Sequence, residues 1–312
     1  MQYAAVVAAA SLALGGILVF AGDARSEAAS AAPAHQQNAE ARPGQEHFRW
    51  AGRLARGQQI EVRGVVGDVR AEAASGDQVE VVGRRSGKHG HLVRIEVVED
   101  ENGVVVCAIY PVQRGRGNRG NGRGEGPCSG FRGQPVEMND VDATVDFTVR
   151  VPAGVRFAAR TVAGDVEATG LRSAVDVATV SGNVRVSTTG TARASTVSGW
   201  VEATFGETDG EDMEFASVNG DVVLRLAEGV GAQVSARTVS GEIRSDFDLR
   251  RGREDRENGR FHIGVGGEAT GTIGRGGPRL RVNTVSGDIR LERVRNREQG
   301  TGNREQGTGN RE

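Results

Sequence analysis

The tetrapeptide Thr-Val-Ser-Gly recurs at residues 179–182, 196–199, 238–241 and 284–287. Looser copies are Thr161-Val162-Ala163-Gly164 and Ser217-Val218-Asn219-Gly220, and the earliest is Val65-Val66-Gly67. The glycines at these points are Gly67, Gly164, Gly182, Gly199, Gly220, Gly241 and Gly287. Each is followed by one variable residue and then by Val or Ile. From Gly164 onward the spacings are 18, 17, 21 and 21 residues, and the last, from Gly241 to Gly287, is 46. A period near 20 with strand alternation is the signature of stacked coils, in which each repeat buries its face only against its neighbours.

The alternation changes phase inside the motif. Val175, Val177 and Thr179 share one parity; Val180, Gly182, Val184 and Val186 share the other. Leu280, Val282 and Thr284 precede the same slip into Val285, Gly287, Ile289 and Leu291. A strand has period 2, so its inward face changes parity only at a corner or bulge. Each coil is therefore two short strands joined at the Thr-Val step, with Gly where the chain bends. This reading places the Val of the motif on the inward parity. The fold class is all-β: a parallel β-solenoid of short strands in one elongated domain. A β-sandwich of the same strands is the alternative.

Composition fits that class. Glycine supplies 47 of 312 residues and aromatics only 4%, as expected of many short strands and tight turns. The net charge of −2 supplies no general attraction for nucleic acid or anionic membrane.

The apolar run from Ala4 to Phe20 has the length of a signal-peptide core, so residues 1–24 are predicted to be a signal peptide and 25–45 a flexible linker. After cleavage the chain is not membrane-embedded. The β-repeat domain is expected over 46–293, interrupted by a Gly/Arg loop at 113–127 and an insertion at 250–277. Residues 294–312 repeat Asn-Arg-Glu-Gln-Gly-Thr-Gly with nothing apolar, the composition of a disordered tail. Cys107 and Cys128 are the two cysteines, 21 residues apart. In an exported protein they are expected to form a disulfide that closes the Gly/Arg loop. The compartment is then periplasmic, cell-surface or secreted.

Few residues point to chemistry. The residue after each corner Gly is Asp68, Asp165, Asn183, Trp200, Asp221, Glu242 or Asp288. Asp and Asn suit turns for local reasons, and the row lacks the pattern of calcium β-rolls. Trp200 interrupts it and is the candidate ligand contact, as a platform for sugar or protein; the plainer reading is that it covers a neighbouring coil. His89-Gly90-His91 has no further ligand at useful spacing and reads as a loop. No catalytic residues, metal or cofactor are assigned.

The recurrent Thr-Val-Ser-Gly-[Asp/Asn/Glu]-[Val/Ile] units, Val151-Pro152-Ala153-Gly154, and Gly276-Gly277-Pro278-Arg279-Leu280 before the last repeat resemble a bacterial putative-adhesin family, a domain of unknown function with β-strand repeats. The resemblance covers about residues 46–293 and implies surface adhesion without catalytic residues. The expected role is a non-enzymatic adhesion or envelope scaffold binding an unknown envelope or surface ligand, glycan or protein. One alternative is a polysaccharide-acting β-helix enzyme, which would need paired carboxylates in a groove. The other is a self-assembling envelope or signalling module that stacks through its end coils.

Overall fold

The computed structural model describes residues 47–110, 128, 142–206, 210–250, 255–257, 260–263 and 266–294. The expected signal peptide, the linker, the Gly/Arg loop 113–127 and the tail beyond residue 294 lie outside the described residues. Among the described residues no helix is long and apolar enough to cross a membrane.

Two sheets carry the fold. The chain opens with β1 (His47–Gly52), β2 (Gln59–Arg63), β3 (Val69–Ala73) and β4 (Val79–Ser86), then β5 (Arg94–Asp100), β6 (Gly103–Ile109) and β7 (Thr144–Val151). The repeats follow as pairs: β8 (Arg156–Arg160) with β9 (Val166–Leu171), β10 (Val175–Ala178) with β11 (Val184–Thr188), β12 (Ala192–Ser198) with β13 (Val201–Phe205), and β14 (Met213–Asn219) with β15 (Val222–Leu226). Next come β16 (Ala232–Ser240) and β17 (Ile243–Ser245), the hairpin β18 (Asp255–Glu257) and β19 (Arg260–Ile263), and β20 (Gly267–Ile273). The last pair is β21 (Arg279–Ser286) and β22 (Ile289–Arg293).

In every pair the strand before the Gly joins one sheet and the strand after it joins the other. The sheet orders are β1-β4-β7-β3-β9-β11-β13-β15-β22-β17-β19-β18 and β20-β16-β21-β14-β12-β10-β8-β2-β6-β5. The repeat strands pair in parallel, as at Val184↔Val201 and Val177↔Ala194. Both ends of the stack turn antiparallel, through β1–β4–β7 and β5–β6 at one end, and β17–β19–β18 and β16–β20 at the other. The insertion 250–277 thus contributes strands to both sheets.

The phase slip has a simple structural basis. Val175, Val177 and Thr179 face inward, and so do Val184, Val186 and Thr188. Val180 and Ser181 between them face out. The motif valines are therefore not inward as the parity implied: Val162, Val180, Val197, Val218, Val239 and Val285 are all exposed. The corner places two residues outside before the chain re-enters, which shifts the inward register by one.

The inward positions form a continuous core of Val, Ile, Leu, Ala and Phe, in which Phe205 of β13 stacks on Phe215 of β14 at 5.4 Å. Each fully buried Val, Leu or Phe contributes about 1.5–3 kcal/mol. With so little aromatic content, cohesion comes from many small layers in contact.

Among the repeat coils that follow β7, stacking order departs from chain order at one place. β21 lies between β14 and β16, and β22 lies between β15 and β17. After β15 the chain skips a layer and builds the outer coil β16–β17. It then adds the hairpin and β20, and comes back to fill the gap. The 46-residue spacing is the length of that excursion.

Candidate functional site: the broken corner ladder

Three rows of interactions run along the corner where the two sheets meet. The first is made by the hydroxyls of the motif. Thr179 Oγ1 donates to the Gly164 carbonyl at 3.0 Å, Thr196 to Gly182 at 2.8 Å and Ser217 to Gly199 at 2.9 Å. Thr284 donates to Gly220 at 3.0 Å and Thr238 to Gly287 at 3.1 Å. Each hydroxyl thus ties its own layer to the preceding one. These hydroxyls are buried, so leaving them unpaired would be costly.

The second row is glycine: Gly67, Gly164, Gly182, Gly199, Gly220, Gly287 and Gly241, in stacking order. At Gly182, φ is +156°, and a Cβ would stand 2.6 Å from the Gly164 carbonyl carbon and closer still to its oxygen. The close approach of successive layers, as much as the backbone angle, excludes a side chain.

The third row explains the Asp and Asn that follow each Gly. The Asp165 N–H donates to Asp68 Oδ1 at 2.9 Å, the Asn183 N–H to Asp165 Oδ1 at 2.7 Å, and the Trp200 N–H to Asn183 Oδ1 at 3.2 Å. The row resumes with the Asp288 N–H on Asp221 Oδ1 at 2.9 Å and the Glu242 N–H on Asp288 Oδ1 at 3.0 Å. It extends one layer before the motif, where the Asp68 N–H donates to Asp146 Oδ1 at 3.1 Å. The acidic row is therefore a ladder of side-chain acceptors, each holding the next layer's backbone.

Trp200 breaks the ladder, because an indole has no acceptor to offer the layer of Asp221. At the break is an open cavity of ≈ 440 Å³ lined by Gly199, Trp200, Val201, Glu202, Asn219, Gly220, Asp221, Val223 and Arg290. Trp200 is half-buried. The Arg185 guanidinium lies over its ring, 5.2 Å from the centroid. Glu202 pairs with Arg185 at 3.3 Å and with Arg225, and Arg225 also reaches Glu292 at 3.1 Å. Arg290 pairs with Asp288 at 3.2 Å and with Asp221 at 3.4 Å. Partial burial pushes the Glu202 carboxyl up. The hydrogen bond and charge of Arg225, joined by Arg185, outweigh that and hold its pKa below the ordinary range. The Arg225 guanidinium is correspondingly raised by its hydrogen bond to Glu202, against desolvation.

The site spans three consecutive layers, those of β13, β15 and β22. Sequence reasoning singled out Trp200 but not Asn219, Asp221 or Arg290 as its neighbours. Arg290 belongs to the coil that returns to fill the skipped layer, 90 residues later in the chain. A usable signal was that Glu202 and Arg290 both stand two residues beyond the ladder position, on the same outward face.

Cys107 and Cys128 lie apart from this site. They form a disulfide with a Cα–Cα distance of 5.8 Å, and both are buried. Near β4, His89 Nδ1 accepts the Asp142 N–H at 3.2 Å, and His91 sits in the single-turn 3₁₀ helix Gly90–Leu92. Among the described residues no three His, Cys, Asp or Glu side chains are grouped as metal ligands.

A family model described as Toastrack DUF4097 matches residues 135–292, half of the chain. No curated protein matches it. Among solved structures, the chain is similar to a "putative cell adhesion protein" from Clostridium sporogenes, at 8% identity and a TM-score of 0.44, over 80% of this chain and 100% of that one. It is also similar to a "putative adhesin" from Bacteroides fragilis, at 11% identity and a TM-score of 0.21, over 81% of this chain and 99% of that one.

Proposed function

We propose that this chain, which belongs to the Toastrack DUF4097 family, is a non-enzymatic binding scaffold of the extracytoplasmic envelope that holds a glycan at the Trp200 notch. The observation that carries the reading is the break in the acceptor ladder. Asp, Asn or Glu stands at every other corner position, and the side chains of Asp68, Asp165, Asn183, Asp221 and Asp288 each hold the next layer, whereas at Trp200 a cavity opens instead. An indole face gives the C–H face of a pyranose a platform. Asn219, Asp221 and Arg290 on the same rim offer donors and acceptors for sugar hydroxyls.

The buried Cys107–Cys128 disulfide supports an oxidising, extracytoplasmic setting. Glu202 is not suited to be the general acid of a glycosidase. A glycosidase needs one carboxyl with a raised pKa to act as general acid, whereas Arg225 and Arg185 hold this one ionised. Adhesion to a surface polymer would be the role of such a scaffold.

The test is a glycan array with the wild-type chain and with Trp200→Asn. Asn restores a ladder acceptor, so thermal stability should hold within a few degrees while glycan retention is lost. Retention unchanged in Trp200→Asn would refute the site, and absence of retention on any glycan by the wild type would refute the ligand class. Fractionation of the native cells tests the compartment.

A further inference from the structure

At the Trp200 notch the repeat departs from its own pattern three times. From β8 onward, the residues two beyond the ladder position are Glu167, Arg185, Glu202, Arg290 and Arg244, all charged, and Val223 is the exception. The residues just before the corner glycines are Ala163, Ser181, Ser198, Ser286 and Ser240, and Asn219 is the exception. Trp200 is the exception in the ladder row. The three fall in two adjacent coils, β12–β13 and β14–β15, and all three residues line one cavity. The other coils stack without them, so the fold does not ask for them here.

The charged groups of the lining already have partners. Glu202 is held by Arg185 and Arg225, and Arg290 by Asp288 and Asp221. Asp221 Oδ1 also accepts the Asp288 N–H. These pairs can share hydrogen bonds with neutral hydroxyls, but an ionic ligand would have to displace one of them and would gain little over it. The side-chain groups of the lining left without a partner among the described residues are neutral: the Asn219 carboxamide and the Trp200 indole N–H. The carboxamide offers an acceptor and two donors, and the indole one donor. Val223 is half-buried and adds apolar surface to that of the indole.

We propose, on the glycan reading of this notch, that the sugar it selects is a neutral 2-acetamido sugar, an N-acetylhexosamine, and that Asn219 and Val223 set the choice. An acetamido group is a planar amide carrying a methyl. Its N–H and C=O match the acceptor and donors that Asn219 and the indole leave free, and its methyl matches Val223. A plain hexose brings only a hydroxyl to that position and leaves the valine uncovered. A uronate brings a charge for which the lining has no free partner. The cavity, at ≈ 440 Å³, lies within the range of about 300–1,000 Å³ usual for small-ligand sites.

The test titrates the full chain with the methyl glycosides of N-acetylglucosamine, N-acetylgalactosamine, glucose, galactose and glucuronic acid, followed by ligand-observed NMR. An acetamido sugar should bind at least about tenfold more tightly than its parent hexose. Its affinity should change less than about twofold between about 50 and about 500 mM NaCl, because no free charge meets it. Asn219→Ser installs the residue of the neighbouring coils, so the thermal transition should hold. The acetamido preference should drop to about threefold or less, while affinity for the parent hexose stays. Equal affinity for acetamido sugars and hexoses, lost for both in Trp200→Asn, would overturn this choice of sugar and leave the glycan reading standing. A preference for the uronide, or an acetamido preference untouched in Asn219→Ser, would overturn it as well. If the glycan array retains only glycans without an acetamido group, the choice of sugar fails alone; if it retains none, both readings fail.

Discussion

Replacing Gly182 with alanine tests how the corner works more directly than any change in the core. Two costs arise. The residue sits at φ +156°, in a region that holds side chains only under strain of about 1–3 kcal/mol. The new methyl would also press on the Gly164 carbonyl, which is backbone and cannot turn aside. Relief requires the two layers to separate. That weakens the Thr179 hydroxyl bond to Gly164 and the adjoining bonds from the Gly164 N–H to Ser181 and from the Ser181 N–H to Val162. At about 1 kcal/mol each these add about 2–3 kcal/mol, for a total of about 3–6 kcal/mol. In a domain of this size that lowers Tm by about 10 °C. Two other glycines separate the terms. Gly170 has φ +65° with nothing within 4 Å of where a methyl would stand, so Gly170→Ala should cost only the backbone strain, about 1 kcal/mol. Gly76 has open space and no left-handed φ, so Gly76→Ala should be neutral or stabilising by up to about 1 kcal/mol. Urea denaturation of the three variants gives the ranking. If Gly182→Ala unfolds at the same midpoint as Gly170→Ala, close approach of the layers is not what fixes glycine at the corner.

Three further outcomes are expected. Replacing Cys107 and Cys128 by serine opens a cross-link of sequence separation 21 and should cost about 3 kcal/mol in denaturant, without moving the spectrum of the folded state. The Glu202 carboxyl, with its folded pKa held below the ordinary value, contributes stability that is present at neutral pH and is lost as pH falls through that folded pKa. Between about pH 5 and about pH 3, Tm should therefore fall more steeply in the wild type than in Glu202→Gln, and parallel curves would contradict the ion-pair account. Truncation before Arg279 removes a middle layer rather than an end, so the product should lose the cooperative transition altogether, as calorimetry would show.

Much of the corner was legible in the sequence because its demands are local. A close backbone approach leaves glycine as the residue at 182, and a buried hydroxyl ties Thr179 to the layer before it. The phase slip between Thr179 and Val184 follows from the same geometry. The outward turn of Val180 was not legible, since hydrophobicity does not say which of two faces a corner residue takes. Asp146 extends the acceptor ladder from a strand without the motif, and only its parallel pairing beside β3 reveals it. The stacking order was hidden for a deeper reason. The final repeat, Thr284-Val285-Ser286-Gly287, is identical to three others, so nothing in its residues marks the layer it fills. Arg290 reaches the Trp200 notch through that placement alone.

The skipped layer also gives the domain a form of proofreading. Residues 232–273 leave the ribosome before the coil that joins them to the rest of the stack, and until it arrives two sets of parallel strand edges face an empty slot. A chain that stops early does not make a shorter rack. It makes one divided in the middle, with its broken edges open to proteases and to pairing with other chains. Completion of the stack and completion of the Trp200 rim, through Arg290, are the same event, so an intact rim is also a certificate that the chain was made through to residue 290.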